Sequence, residues 1–238
     1  MPAPAALRSK VGTPAINVSA VVLCAMLWVP HGIAAPMAGD AYVYRVTNGY
    51  NREIVGFLRH EVTSATTTRG TVVSVTTEQN ALGLPRTEIL TTVGQWLRRP
   101  LDNHGAPVEY AFSPALPVVP PAVEGKTWSI RVHAEAAGDS RARSVRVDGE
   151  VLGHEKITVP AGTFDTVKIR RTIYPGDTEY FRTETQITEV DWYAPALGRS
   201  VRTDTRSRWR QPGCRIGNCE YRGDWHVLEL TEVVTAKH

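Results

Sequence analysis

The chain has 238 residues, of which 42% are hydrophobic, 8% aromatic and 21% charged, and its formal net charge is +3. This composition excludes a disordered tail and a multi-pass membrane protein, and its length fits one large domain or two small ones. Lysines and arginines are spread along the chain, which argues against a nucleic-acid partner because phosphates require a localised basic surface.

The N-terminus has the order of a secretory signal peptide. Arg8 and Lys10 form a positive region, a mostly apolar and uncharged segment follows at 16–29, and small residues precede a cleavage position after Ala34. The apolar run of about 14 residues is shorter than the roughly 20 that span a bilayer, so we expect no stable membrane span, and a retained anchor is the alternative. Lipid attachment at Cys24 is disfavoured because a large Leu precedes it. We therefore expect residues 1–34 to be removed and the rest to be periplasmic or secreted.

The two C-terminal cysteines are expected to form a disulfide. Cys214 and Cys219 lie in a Gly- and Asn-containing loop between two strand-like segments, and in an exported protein a disulfide is the natural pairing. Redox and metal pairs are typically spaced C-x2-C, which this loop does not match. Closing so short a loop is expected to stabilise the fold by about 2 kcal/mol or less.

Nearly every other segment is typical of a β-strand. In residues 127–136, Trp128, Ile130 and Val132 alternate with polar side chains, a period of two that predicts a half-buried antiparallel strand. Similar Thr- and Val-rich segments, separated by Gly, Pro and Asn turn signals, occupy 41–48, 53–63, 71–78, 86–92, 108–113, 142–153, 155–159, 163–174, 177–194, 198–209 and 224–234. We predict an all-β fold in one domain, a curved antiparallel meander of roughly ten to twelve strands, half-barrel or barrel-like.

A proline-rich connection interrupts the strands. Pro114, Pro117, Pro120 and Pro121 remove backbone donors and fix φ, which favours an extended, irregular segment. We therefore divide the chain after the signal into N-terminal β strands (35–113), this connection (114–126) and a C-terminal β region (127–236). A domain boundary and a long crossover within one sheet system both fit.

Sequence motifs of catalysis, phosphate binding and metal binding are absent. There is no G-x-S-x-G, no G-x-x-x-x-G-K-[ST] and no G-x-G-x-x-G. His60 and His154 each precede a glutamate but have no second histidine four residues on, and Cys214 and Cys219 are too far apart in sequence for a zinc-deaminase pair. We expect no catalytic residues, no metal and no cofactor, and a protein that is not an enzyme.

Two segments carry a resemblance to known families. Residues 159–169 have the sequence VPAGTFDTVKI and residues 192–202 the sequence WYAPALGRSVR. Turn residues alone explain each as a hairpin. Together they resemble the TapB-like and related domain-of-unknown-function families of exported bacterial β proteins, over about residues 125–235. The resemblance implies a curved antiparallel sheet, an exported protein and no assigned activity.

Aromatic residues beside these segments are the candidate ligand contacts. We expect Tyr180, Phe181, Trp192 and Tyr193 to line the mouth or concave face of a barrel, where aromatic surface can hold an apolar ligand. The leading expectation is a non-enzymatic exported protein that binds an apolar or lipid-like envelope component there. The alternative is a structural or interaction protein of the cell envelope with a protein partner.

Overall fold

The fold is built from antiparallel β-strands. A computed structural model of the chain describes residues 36–65, 72–80, 87–91, 94–103, 106–117, 123–136, 143–176, 182–214 and 219–236. Within these ranges the strands are β1 (Ala41–Asn48), β2 (Ile54–Ala65), β3 (Val72–Asn80), β4 (Thr87–Thr91), β5 (Gln95–Asn103), β6 (Ala106–Pro117), β7 (Thr127–Ala136), β8 (Arg143–Val159), β9 (Gly162–Tyr174), β10 (Thr183–Ala194), β11 (Arg199–Arg210) and β12 (Glu220–Val234). A short 3-10 turn (Pro195–Leu197) joins β10 to β11.

The strands form one closed antiparallel sheet. Each strand pairs with its neighbours in sequence, and β1 also pairs with β12, which closes the barrel. This last seam runs from Ala41 opposite Val234 to Asn48 opposite His226. Closure pairs backbone groups that an open meander leaves exposed on its edge strands. The predicted all-β, curved antiparallel meander of barrel-like form is confirmed.

Two turns lie at the same end of the barrel. The antiparallel order places the β1–β2 turn (49–53) beside the β11–β12 turn (211–219), because β1 pairs with β12. A disulfide joins Cys214 to Cys219 in the second of these turns, which confirms the predicted pairing. We call this the hairpin end of the barrel, and the end that holds the 3-10 turn the opposite end.

Side chains alternate between the inside and the outside of the barrel. In β9, Val167, Ile169 and Ile173 are at most 1% exposed, whereas Arg170 between them is exposed. The inward-facing apolar residues pack in two clusters, one contributed mainly by β5–β10 and the other mainly by β1, β2 and β12. Alternation with a period of two therefore gives each strand an inner and an outer face.

Strand β5 (Gln95–Asn103) is an addition to the strands that the sequence predicts. A register shift between Trp96 and Arg98 breaks the alternation of its side chains, and Pro100 lowers its β propensity. The predicted segments 142–153 and 155–159 are one strand, β8, because the irregularity at Gly153 is a β-bulge at φ 145° rather than a chain reversal.

The end of β6 includes the first residues of the proline-rich connection. Pairing between β6 and β7 stops at Ser113, whereas pairing with β5 continues to Pro117. Pro117 is therefore paired on one side only, and Pro114 lies in the irregularity between Ala111 and Leu116, where neither neighbouring strand pairs with it. A strand tolerates proline at both kinds of position.

The predicted signal segment, 1–34, lies outside the described residues, and its removal stays a prediction. The part of the chain that the structure describes holds no helix long and apolar enough to cross a membrane.

Candidate functional site

The two described aromatic candidates do not share a surface. Trp192 and Tyr193 are neighbours in β10, so their side chains point to opposite faces of the sheet. Tyr193 is 5% exposed and belongs to the inner apolar cluster, and burial raises the pKa of its hydroxyl to about 12. Trp192 lies on the outer face. Tyr180 and Phe181 lie outside the described residues, and a ligand role for these four residues stays a prediction.

Charged side chains surround Trp192 on the outer face. Its ring lies 4.7 Å from Lys168 Nζ and 5.0 Å from the guanidinium carbon of Arg202, distances typical of cation–π contacts. The indole N–H donates to Glu155, and Lys168 also lies 3.0 Å from that carboxylate. Hydrogen bonds from Lys168 and Trp192 lower the pKa of Glu155. The indole is therefore already engaged by neighbouring side chains of this chain.

A cluster of ion pairs occupies the inner face at β5, β9 and β10. Arg171 is 1% exposed, pairs with Asp191 and lies 3.9 Å from Glu189. Arg99 donates to both oxygens of Glu189, at 3.0 and 2.7 Å, and Thr203 donates to Asp191 at 2.6 Å. Burial lowers the pKa of Arg99, but the charge of Glu189 and its hydrogen bonds outweigh burial and raise it overall. Both carboxylates are thus compensated within the barrel.

A second inner cluster is centred on Arg199 at the start of β11. Its Nη2 lies 3.2 Å from His60 Nδ1 and 3.4 Å from Glu88 Oε2, and its guanidinium carbon lies 4.9 Å from the ring centroid of Tyr42. Burial lowers the pKa of Arg199, yet Tyr44 and Glu88 raise it overall. Burial also raises the pKa of Tyr42 to about 12. These contacts pair the charges inside the barrel with one another, as structural ion pairs do.

Metal-ligating side chains are dispersed over the described ranges. Among those residues, no group of three His, Cys, Asp or Glu side chains is close enough to hold a metal ion.

A groove of about 690 Å³ crosses the outer face of β9–β12 near the hairpin end. Its floor is formed by Thr172 and Thr188, which lie opposite each other on β9 and β10. Long or aromatic side chains on both sides of these short ones make the surface concave. The walls are Tyr50, Arg170, Tyr174, Gln186, Arg206, Ser207, Arg208, Glu220, Arg222 and Trp225.

The aromatic end of the groove is held in place by several contacts. Tyr50 packs edge-on against Trp225 with ring centroids 5.3 Å apart, and the indole N–H of Trp225 donates to Asp204 at 2.9 Å. The guanidinium carbon of Arg206 lies 3.9 Å from the indole centroid. A Cβ on Gly49 would lie 2.2 Å from the same ring, so only glycine fits beneath it. This wall is therefore formed before any ligand arrives.

Four arginines and one glutamate give the groove its charge. Arg208 is 51% exposed at its side chain and pairs with Glu220 at 3.2 Å. Arg206 pairs with Asp204 at 3.0 Å, whereas Arg222 is exposed and makes no ion pair with any residue that the structure describes. Exposed ion pairs contribute little, so a ligand anion can replace the glutamate. Guanidinium groups bind phosphate and carboxylate oxygens two at a time.

The groove continues across the neighbouring strands. A second hollow of about 540 Å³ shares Arg170 and Thr172 with it and extends over β7 and β8 to Ser129. Asp148 lies between, opposite both Thr172 and Ser129. Polar side chains on the outer face thus continue from β12 to β7. A ligand longer than the first hollow can therefore extend into the second.

Sequence patterns alone do not identify the groove. Arg206 and Arg208 alternate in β11 and predict one face of that strand, but Arg170 and Arg222 come from distant segments. Basic residues that are spread along the chain are thus gathered by strand register on one side of the sheet. The turn that supplies Tyr50 reaches the groove because β1 pairs with β12, a contact between the two ends of the strand order.

Comparison with known families gives a match to the DUF3108-like family over residues 120–208. The match includes both segments on which the family resemblance was based, at 159–169 and 192–202. The coarser part of the resemblance, to a family of unknown function, is confirmed over residues 120–208, whereas the TapB-like assignment and the significance of the two motifs stay predictions. No curated protein matches the chain significantly.

Three solved bacterial structures align with most of the chain. A candidate lipoprotein from Parabacteroides distasonis is 16% identical with a TM-score of 0.48, and the alignment covers 84% of this chain and 97% of that one. A candidate exported protein with a YmcC-like fold from Bacteroides fragilis is 13% identical with a TM-score of 0.44, covering 84% and 97%. The hypothetical lipoprotein YmcC from Escherichia coli is 10% identical with a TM-score of 0.39, covering 82% and 84%. In sequence, the chain is similar to the DUF3108-like family, and the matched residues include most of β7–β11.

Proposed function

We propose that this chain is an exported, non-enzymatic protein of the cell envelope that binds a negatively charged amphipathic component in the outer groove. The observation that carries the proposal is the groove itself, with four arginines around a threonine floor and an aromatic end wall. The arginines fit phosphate or carboxylate groups, and Tyr50 and Trp225 offer surface to the apolar part of the ligand.

Other features support an exported binding protein. The disulfide between Cys214 and Cys219 is typical of an oxidising compartment such as the periplasm or the exterior, in agreement with the signal that the sequence predicts. The pairing of β1 with β12 leaves neither strand available for strand addition by a partner protein. A ligand held by side chains is therefore favoured over a protein partner held by a sheet edge.

The charge of the groove favours an amphipathic ligand over a purely apolar one. Covering Arg208 and Arg222 with uncharged hydrocarbon would remove their hydration, which is unfavourable, because Glu220 pairs with Arg208 but leaves Arg222 without an ionic partner among the described residues. An anion beside the same guanidinium groups supplies that partner. In place of the apolar or lipid-like component that the sequence predicts, the groove favours a ligand that has both an apolar part and a negatively charged head group.

Calorimetric titration with short-chain lipids below their micelle concentrations tests the proposal. We expect dihexanoyl phosphatidylglycerol to bind and dihexanoyl phosphatidylcholine to bind about tenfold more weakly, because the arginines favour net negative charge. Raising the salt concentration is expected to weaken the first interaction. The recovered lipid is expected to be chemically intact, and its hydrolysis would overturn the non-enzymatic part of the proposal.

Matched arginine variants locate the binding. Arg208→Ala is expected to weaken phosphatidylglycerol binding about tenfold, since a hydrogen-bonded ion contact is lost. Arg98→Ala is the control, because Arg98 is 46% exposed and pairs with Glu109 at 3.9 Å, away from the groove. Equal binding of the two lipids, or equal losses in the two variants, would overturn the assignment to the groove.

A further inference from the structure

We propose that the hairpin end of the barrel docks on an anionic lipid bilayer and inserts the apolar side chains of the β1–β2 hairpin between the headgroups. This inference rests on the proposed function, because it assigns the source of the groove's anion to a lipid that is still in the membrane.

Exposed apolar side chains are concentrated at the hairpin end. Across the described ranges, four of the seven exposed large hydrophobic residues lie between positions 50 and 57, namely Tyr50 at 51%, Ile54 at 59%, Val55 at 46% and Phe57 at 50%. Tyr221, at 43%, is also at this end, whereas Met37 and Val123 lie toward the opposite end. Scattered exposed hydrophobic residues are ordinary, but a contiguous group marks a surface that contacts a protein or a membrane.

The turn that carries this group has a fixed shape. Asn48 N–H donates to the Glu53 carbonyl at 2.8 Å, Tyr50 N–H donates to the Asn48 side chain at 2.9 Å, and Glu53 N–H donates to the Asn51 side chain at 3.0 Å. The Tyr50 hydroxyl donates to the Gly223 carbonyl at 2.8 Å, which fastens the turn to β12. Little conformational entropy is therefore lost when the turn inserts.

Arg52 places a positive charge within this turn. Its φ is 65°, in the left-handed region that glycine occupies more easily, and its side chain is exposed. Strained backbone conformations of this kind are found most often at residues with a functional role. An arginine beside Ile54 and Tyr50 provides a contact for a lipid phosphate next to side chains that enter the acyl region.

The exposed arginines beside the apolar group favour a membrane over another protein surface, with Glu53 in the same turn and the Asp204 and Glu220 partners of Arg206 and Arg208 as the nearby carboxylates. Tyr50 belongs both to the apolar group and to the groove wall, so the arginines Arg206, Arg208 and Arg222 continue from it on one side, with Arg52 in the turn itself. An anionic bilayer offers acyl chains and phosphates in the same adjacent arrangement. The hairpin inserts and the groove then meets a headgroup at the membrane surface.

Vesicle co-sedimentation of the full chain tests this inference. The protein is expected to bind vesicles of phosphatidylethanolamine with phosphatidylglycerol, and to bind phosphatidylcholine vesicles weakly. The combined variant Ile54→Asp and Phe57→Asp is expected to lose about tenfold in vesicle affinity, because aspartates resist entry into the bilayer. Val123→Asp is the control, since Val123 has the same 59% exposure as Ile54 but lies toward the opposite end.

A glycine variant separates docking from folding. Arg52→Gly relieves the left-handed strain, so we expect no loss in thermal stability, together with about fivefold weaker binding to the anionic vesicles. Far-UV circular dichroism checks that each aspartate variant is folded. Titration with dihexanoyl phosphatidylglycerol is expected to give wild-type affinity in the Ile54→Asp, Phe57→Asp variant, because its groove is intact.

Each alternative outcome is distinct. Normal binding of the short-chain lipid with no wild-type binding to vesicles would overturn the docking inference and leave the groove proposal standing. If the wild type does not bind dihexanoyl phosphatidylglycerol, the groove proposal is overturned. A wild-type dimer that dissociates on Ile54→Asp and Phe57→Asp substitution would show that the apolar group covers a second copy of the chain instead, and would overturn docking on lipid.

Discussion

Pairing between buried charged residues explains how the interior of the barrel accommodates ionic side chains. Arg171 and Asp191 are 1% and 5% exposed, and each is compensated by the other and by Thr203 or Glu189. Charges removed from water are tolerated only with such partners. The sequence alone does not pair Glu189 or Asp191 with Arg171, because one strand shows which residues share a face but not which arginine lies on the next strand.

Removing Arg171 is expected to destabilise the fold strongly. Arg171→Met leaves Asp191 buried without its partner, and breaking such a pair typically costs about 3–5 kcal/mol. Lys156→Met is the control, since Lys156 and Asp165 are 65% and 87% exposed and an exposed pair contributes about 0.5 kcal/mol or less. Urea denaturation measures both. Partial recovery in the double variant with Asp191→Leu is expected, and similar losses in the two single variants would contradict the structural role of the inner pair.

Buried tyrosines are expected to make the fold sensitive to high pH. Burial raises the pKa of Tyr42 and of Tyr193 to about 12, whereas a tyrosine in an unfolded chain ionises near pH 10. Their contribution is therefore complete below about pH 10 and is lost as the pH rises toward 12, because the unfolded chain releases these protons first. Unfolding free energies from urea titrations at increasing pH measure the loss, at most about 3 kcal/mol per residue.

A phenylalanine variant assigns this pH dependence. Tyr42→Phe is expected to remove part of the alkaline decline in unfolding free energy, because the buried hydroxyl with the raised pKa is then absent. Phenolate absorbance that rises for all tyrosines near pH 10 in the folded protein would contradict the assignment.

At the scale of whole elements, alternation predicted most strands, and an irregularity in strand pairing together with Pro100 explains the one that it missed. β1 and β7 match their predicted bounds of 41–48 and 127–136. In β7 apolar and polar residues alternate without interruption, whereas β1 begins with four apolar residues and is bounded by the turn signal at Asn48 and Gly49. β5 was missed since its register shift and Pro100 disrupt that pattern. Strand prediction from periodicity alone fails at such irregularities, because a register shift depends on the partner strand rather than on local propensity.

The contact of the β1–β2 hairpin with β12 depends on one glycine. In Gly49→Ala the new methyl group would meet the Trp225 ring at about 2.2 Å, so the ring must move away from the groove. We expect a loss of about 1–3 kcal/mol in unfolding free energy, a shift in tryptophan fluorescence and weaker phosphatidylglycerol binding. Adding Trp225→Leu is expected to relieve the clash, which a double-mutant cycle detects as a favourable coupling. Additive losses would show that the ring does not lie over Gly49.

At the scale of the whole molecule, the closure of the barrel and the position of the aromatic end of the groove both depend on the pairing of β1 with β12. The seam between β1 and β12 has eight paired positions, and it brings Tyr50 to Trp225 at the groove end. Strand content and order were predictable from alternation and turns, but closure was not, because it depends on pairing between segments almost two hundred residues apart. The groove residues were missed for the same reason.

Hydrogen exchange tests closure directly. Amides of β1 that bond to β12 are expected to exchange nearly as slowly as those between β9 and β10, because a closed sheet has no edge there. The seam between β4 and β5 is the internal comparison: among the described residues it has two paired positions, Ile89 with Arg98 and Leu90 with Trp96, so its amides are expected to exchange first. Fast exchange of every second amide along β1 and β12 would instead identify an open sheet, and Tyr50 would then lose its fixed place beside the groove.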